Sequence, residues 1–175
     1  MRFAYFLALG LLAACAGEPS NPASGDAAAS TYDLPIIEVA SAESLVADLD
    51  GLEAEAVVLN FWATWCGPCR QEFPAFRRFD AEMESEGVHV RFVSLDNPDD
   101  RALIEAFLAE QEVDDPSYLY TGTGDLTSQL NPFVGGALPI TMVLDGDGIV
   151  HDTHVGMMTY DELTESVAAV RASAS

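Results

Sequence analysis

Two cysteines stand two residues apart in the stretch NFWATWCGPCRQEFPAF, Asn60 to Phe76. Gly67 and Pro68 separate Cys66 from Cys69, and Trp65 precedes them. Such a pair suits half a zinc site, a short structural staple, or a redox couple that passes between dithiol and disulfide. Zinc asks for four ligands. The one other cysteine, Cys15, is far upstream, and His89 stands alone. His151 and His154 are three apart on a predicted strand, which turns them to opposite faces. No metal is therefore expected. A staple across two residues removes little entropy from the unfolded chain. Redox chemistry is the reading the pair favours, and it needs no cofactor beyond the Cys66–Cys69 disulfide itself.

That chemistry depends on the elements that hold the pair. Ala56 to Trp62, AVVLNFW, is a nearly continuous apolar run with β-branched and aromatic residues, as in a parallel strand buried on both faces. A helix follows at once, with Phe73, Phe76, Phe79 and Met83 on its core face and Gly87 at its end. Cys66 then falls at the helix N-terminus, where free N–H groups and the helix dipole lower a thiol's pKa. Cys69 lies about a turn deeper, facing the protein. An open attacker with a shielded resolver is what disulfide exchange requires.

The remaining elements complete an α/β order. Ser41 caps a short helix with Leu45, Val46 and Leu49 inward. Val88 to Leu95 reads as a second parallel strand. Asn97-Pro98 opens a helix carrying Leu103, Ile104, Phe107 and Leu108. Tyr118 to Tyr120 is a short strand. Pro139–Asp145 and Ile149–Val155 form a hairpin about Gly146-Asp147-Gly148, and Thr159 to Glu162 is the capping box of a last helix. A βαβ half followed by a ββα half predicts a central mixed sheet with helices on both faces and an extra α/β insert.

WCGPCR, Trp65 to Arg70, resembles the thioredoxin motif letter for letter. Pro74 sits where thioredoxins carry a helix-kinking proline, and LPIT, Leu138 to Thr141, is similar to the segment bearing their cis-proline. The longer pattern NFWATWCGPCRQEFP resembles the membrane-tethered, periplasmic TlpA/ResA-like branch. The resemblance covers roughly residues 36–172 and implies the thioredoxin fold. It implies Cys66 as nucleophile and Cys69 as resolver. It also implies a client groove at Trp65, Gly67, Pro68, Leu138 and Pro139, with the Leu138–Pro139 bond cis. The client classes it implies are proteins of cytochrome c or oxidase copper-site maturation, with a membrane thiol-electron donor. Where cytoplasmic thioredoxins bury an Asp, this chain has Asn60, which cannot accept a proton. Glu72, three residues past Cys69 and on its helix face, matches a Glu of the tethered branch and is the candidate acceptor for the Cys69 proton. Arg70 is expected to face solvent. Gly-Pro between the cysteines favours a reductase, since thioredoxin with the same dipeptide lies near about −270 mV.

The N-terminus adds a location. Phe3 to Ala14 is an apolar run behind Arg2, of signal-peptide length and too short to span a membrane. LAAC, Leu12 to Cys15, resembles the lipobox of bacterial lipoproteins. Residues 1–14 then form a signal peptide, Cys15 a lipid anchor, 15–35 a flexible linker and 36–175 the thioredoxin-like domain. A plain secretory peptide cut after Ala16 is the alternative. The chain holds 29 acidic residues against 7 basic ones, a net charge of −22, which excludes nucleic acid as a partner. Two other functions stay open: an oxidase or isomerase on the same fold, and a copper carrier using the thiolates with Met157 or Met158.

Overall fold

The computed structural model describes residues 34–173, so the leader, Cys15 and nearly all of the linker lie outside the described residues. Six strands form one sheet in the order β1-β4-β3-β2-β5-β6. These are β1 (Ile36–Val39), β2 (Ala56–Trp62), β3 (Val88–Ser94), β4 (Ser117–Tyr120), β5 (Ile140–Asp145) and β6 (Val150–Val155). β1, β4, β3 and β2 run parallel, whereas β5 and β6 are antiparallel to their neighbours, so the sheet is mixed as expected. Every residue of β2 is buried, which agrees with its unbroken apolar run.

Helices cover both faces. α2 (Gly67–Met83), α3 (Arg101–Glu110) and α5 (Tyr160–Ser173) share one apolar cluster, and α1 (Ala42–Leu49) and α4 (Leu126–Leu130) share the other. Beneath the start of α2 the packing is aromatic. Phe73 stacks on Phe92 with ring centroids 4.3 Å apart and meets Trp62 edge-on at 4.9 Å. Phe107 closes the group at 4.9 Å from both Trp62 and Phe73. Such pairs add about 0.5–1.5 kcal/mol each beyond area burial, so the helix that carries the cysteines rests on a stiff floor. The expected Thr159–Glu162 capping box forms, and the expected Ser41 cap is itself a box closed by Ser44.

The structure adds two elements to the sequence reading. β1 precedes the first helix as an edge strand. It is held from α3 by Arg101, whose Nη2 donates to the Ile36 carbonyl and Nη1 to Glu38, each at 3.1 Å. α4 is a short helix in the Gly-rich stretch, capped by Asp125, which accepts the N–H groups of Thr127 and Ser128. A third difference concerns β3. Its residues are nearly all buried because β3 is a central strand with a packed cluster on each face, and Arg91 fits by turning its guanidinium back onto the Val90 carbonyl at 2.8 Å. Among the described residues, no helix is long and apolar enough to cross a membrane.

Candidate active site

Where β2 hands over to α2, the chain turns through Ala63–Trp65 and the helix opens on Cys66. Cys66 is the N-cap, in extended conformation, and its Sγ accepts the Cys69 N–H at 3.2 Å. Pro68 occupies the first turn, where the N–H it lacks would have no helical partner. The two sulfurs form a disulfide, with Cα atoms 5.3 Å apart. Once the pair is reduced, the same N–H and the positive end of a 17-residue helix face the Cys66 sulfur and favour its thiolate.

Cys66 is less open than the sequence suggests. It is 5% exposed and Cys69 not at all, so the order of access survives although both are buried. The reason is packing: both cysteines belong to the cluster built from Phe73, Phe107 and Met158. What projects is the rim, with Trp65 71% exposed and Gly67, Pro68 and Arg70 at the surface. The Arg70 guanidinium lies over the Phe107 ring, 4.9 Å from its centroid.

Opposite the rim, the Leu138–Pro139 bond is cis. Pro139 is buried, and its carbonyl accepts the Gly156 N–H at 2.9 Å, which ties the loop to the end of β6. Trp65 and Leu138 line a groove of about 310 Å³ whose other apolar walls are Leu95, Tyr120, Leu126 and Ile140. Of the expected groove residues, Trp65 and Leu138 line this opening, while Gly67 and Pro68 are exposed outside its lining and Pro139 is buried.

Glu72 is buried on the Cys69 side of α2. Asn60 Nδ2 donates to its Oε1 at 2.7 Å, and the Met158 N–H donates to its Oε2 at 3.0 Å. Burial pushes its pKa up from 4.5 to about 7, against the pull of those two hydrogen bonds. A solvated surface charge is therefore not what the chain builds here. The carboxyl exchanges a proton near neutrality, as an acceptor for a shielded thiol must.

Two contacts escaped the sequence. One is the Asn60–Glu72 hydrogen bond itself. The other is Asp96, buried just beyond β3, which accepts from the Thr64 N–H at 3.0 Å, the Thr64 hydroxyl at 2.6 Å and the Ser94 hydroxyl at 2.8 Å. It fixes the turn that delivers Cys66. The available signal was a Thr two residues before the motif and an Asp at the matching end of the neighbouring strand. Of the two methionines near the site, Met158 meets Glu72 through its backbone while Met157 is exposed. His151 bonds Asp145 at 2.6 Å and His154 the Met157 carbonyl at 3.2 Å, so the two do not converge. Among the described residues, no cluster of three or more His, Cys, Asp or Glu could hold a metal.

Comparison with known proteins places this arrangement. The Redoxin family matches residues 25–170. Thioredoxin-like protein YneN of Bacillus subtilis is 31% identical over 121 residues, 68% of this chain and 67% of the relative. Thiol-disulfide oxidoreductase ResA of Bacillus cereus is 27% identical over 131 residues, 75% of this chain and 72% of the relative. Among solved structures, a thioredoxin-related protein from Neisseria meningitidis serogroup B superposes with a TM-score of 0.60 at 31% identity, covering 71% of this chain and 90% of that one.

Proposed function

The chain belongs to the Redoxin family and is a thiol–disulfide oxidoreductase, and from that premise we propose that it is an extracytoplasmic reductase of client-protein disulfides. The observation that carries the reading is Cys66 at the α2 N-terminus, disulfide-bonded to a fully buried Cys69, with Glu72 three residues further along the same helix and its pKa pushed up to about 7 by burial.

In the reduced protein the Cys66 thiolate attacks one sulfur of a client disulfide. A Cys66–client S–S bond forms, and the client's other sulfur leaves as a thiolate that takes up a proton. Cys69 then gives its proton to Glu72 and attacks the Cys66 sulfur. The Cys66–Cys69 bond forms, and the second client sulfur leaves and is protonated. Two electrons and two protons have passed to the client, and the pair is left oxidised, as it stands in the structure. A dithiol donor in the membrane must reduce it again. The groove between Trp65 and Leu138 receives the client segment, and clients of the cytochrome c or oxidase copper-site type follow from the resemblance to the tethered branch.

Turnover tests the reading. With dithiothreitol as electron source, the wild-type protein is expected to reduce the interchain disulfides of insulin well above the dithiothreitol background. Cys66→Ser is expected at the background. A wild-type rate no faster than that background contradicts the proposal.

We further propose that residues 1–14 are removed, that Cys15 carries lipid, and that 15–35 tether the domain to its membrane. The LAAC sequence supports this. Intact mass of the protein from its host should show an acylated N-terminus at Cys15, and Cys15→Ser should release a soluble exported chain. An unacylated mature chain beginning at Ala16 or later contradicts the anchor.

A further inference from the structure

Asn60 carries no exchangeable charge, yet it is fully buried in the centre of β2, touching the Glu72 carboxyl. Its Nδ2 donates to Glu72 Oε1 at 2.7 Å and reaches Thr141 Oγ1, its cross-strand partner on β5, at 3.4 Å. Its Oδ1 is buried without a hydrogen-bond partner. A buried polar atom left unpaired costs about 1–3 kcal/mol, and a half-turn of the amide only exchanges which of its two atoms bears that cost, so both orientations are open to it.

Proton uptake by Glu72 decides between them. In the ionised form both carboxylate oxygens are acceptors, and both are served: Oε1 by Asn60, Oε2 by the Met158 N–H. A main-chain N–H cannot turn away, so Oε2 stays an acceptor and the proton belongs on Oε1. There it would confront Nδ2, donor against donor. A half-turn of the Asn60 amide replaces Nδ2 by Oδ1, and the acid O–H then donates to the oxygen that was unpaired. The Thr141 hydroxyl can accept from Nδ2 or donate to Oδ1, so it can serve either orientation. We propose that Asn60 is a positioning residue that serves both protonation states of Glu72, donating to the carboxylate and turning over to accept from the acid. An aspartate at this position could not donate to the carboxylate, and a leucine could do neither. The inference rests on the reading of Glu72 as the proton acceptor.

The groups facing Glu72 make the titration clean. Asn60 comes from β2, backed by Thr141 of β5, and the Met158 amide comes from the β6–α5 connection; none of these titrates. Cys69 on α2 carries no proton while the disulfide is closed. Among the described residues, no charged side chain contributes to the Glu72 shift.

The test is therefore an NMR titration of the Glu72 carboxyl carbon in the oxidised protein. Asn60→Asp, which sets a second carboxylate against the first, should raise the midpoint by at least about one pH unit. Asn60→Leu, which removes the donor from the carboxylate and the acceptor from the acid alike, should move it much less than Asn60→Asp does. A midpoint that fails to rise in Asn60→Asp, or that moves as far in Asn60→Leu, overturns the proposal. A purely structural Asn60 would lower stability and leave the midpoint in place. The wild-type protein decides the matter even where a variant fails to fold. The Asn60 side-chain amide resonances must move with the Glu72 midpoint, and resonances that ignore it overturn the proposal. If Glu72→Gln resolves mixed disulfides at the wild-type rate, the acceptor role of Glu72 fails, and that result is independent of these titrations.

Discussion

Cys69→Ser is expected to accumulate client proteins as stable mixed disulfides through Cys66, whereas Cys66→Ser should trap almost none. The asymmetry comes from position. Cys66 is the N-cap of α2, with the Cys69 N–H aimed at its sulfur, and it retains the little exposure the pair has. Cys69 is sealed, and on the proposed mechanism burial keeps its thiol protonated until Glu72 takes the proton. With Cys69 gone, the first S–S exchange proceeds and nothing displaces the client. Non-reducing gels of the two variants after mixing with an oxidised protein substrate read the outcome. Equal trapping by both variants would show that the roles are assigned wrongly.

Glu72→Gln should separate the two steps and remove a pH dependence. It removes the proton acceptor and leaves the nucleophile, so the first attack stays near the wild-type rate while resolution slows by about 10²-fold. Stopped-flow following Trp65 fluorescence resolves the phases, and wild-type resolution in the variant would reduce Glu72 to a structural group. The same residue leaves a mark on stability. Its folded pKa of about 7 lies above its ordinary 4.5, so the folded state holds the proton more tightly than the unfolded chain. That contribution is complete below pH 4.5 and is lost as pH rises towards 7. At about 1.4 kcal/mol per pK unit, the loss amounts to up to about 3 kcal/mol. Urea unfolding of the oxidised proteins should therefore show Glu72→Gln gaining on the wild type between pH 4 and pH 8. A difference that does not vary with pH contradicts the burial argument.

The parts of this site that sequence reveals are those built from local signals. Cys66 and Cys69 declare themselves by spacing, the core face of α2 by the recurrence of Phe73, Phe76 and Phe79, and the helix starts by Ser41 and Thr159. Pro139 stands out through its resemblance to a known segment. What escapes is set by register between strands distant in the chain. Asn60 meets Glu72 because β2 carries it under α2, and Asp96 meets Thr64 because β2 and β3 end side by side. No local pattern encodes either contact. β1 is only four residues long and follows a linker-like stretch, and α4 has five residues among glycines, so neither has enough periodicity to register. The depth of Cys66 escapes for a similar reason: spacing puts it at a helix start but does not say how closely Phe73, Phe107 and Met158 pack around it.

The direction of electron flow is the centre of the account, and the reduction potential of the Cys66–Cys69 pair tests it most directly. The mature protein, equilibrated against glutathione buffers of known ratio and quenched by alkylation, gives the value. A reductase with Gly67-Pro68 between its cysteines is predicted to lie below about −220 mV, towards the −270 mV of thioredoxin. A potential above about −180 mV, approaching the −120 mV of a strong disulfide oxidant, would contradict it.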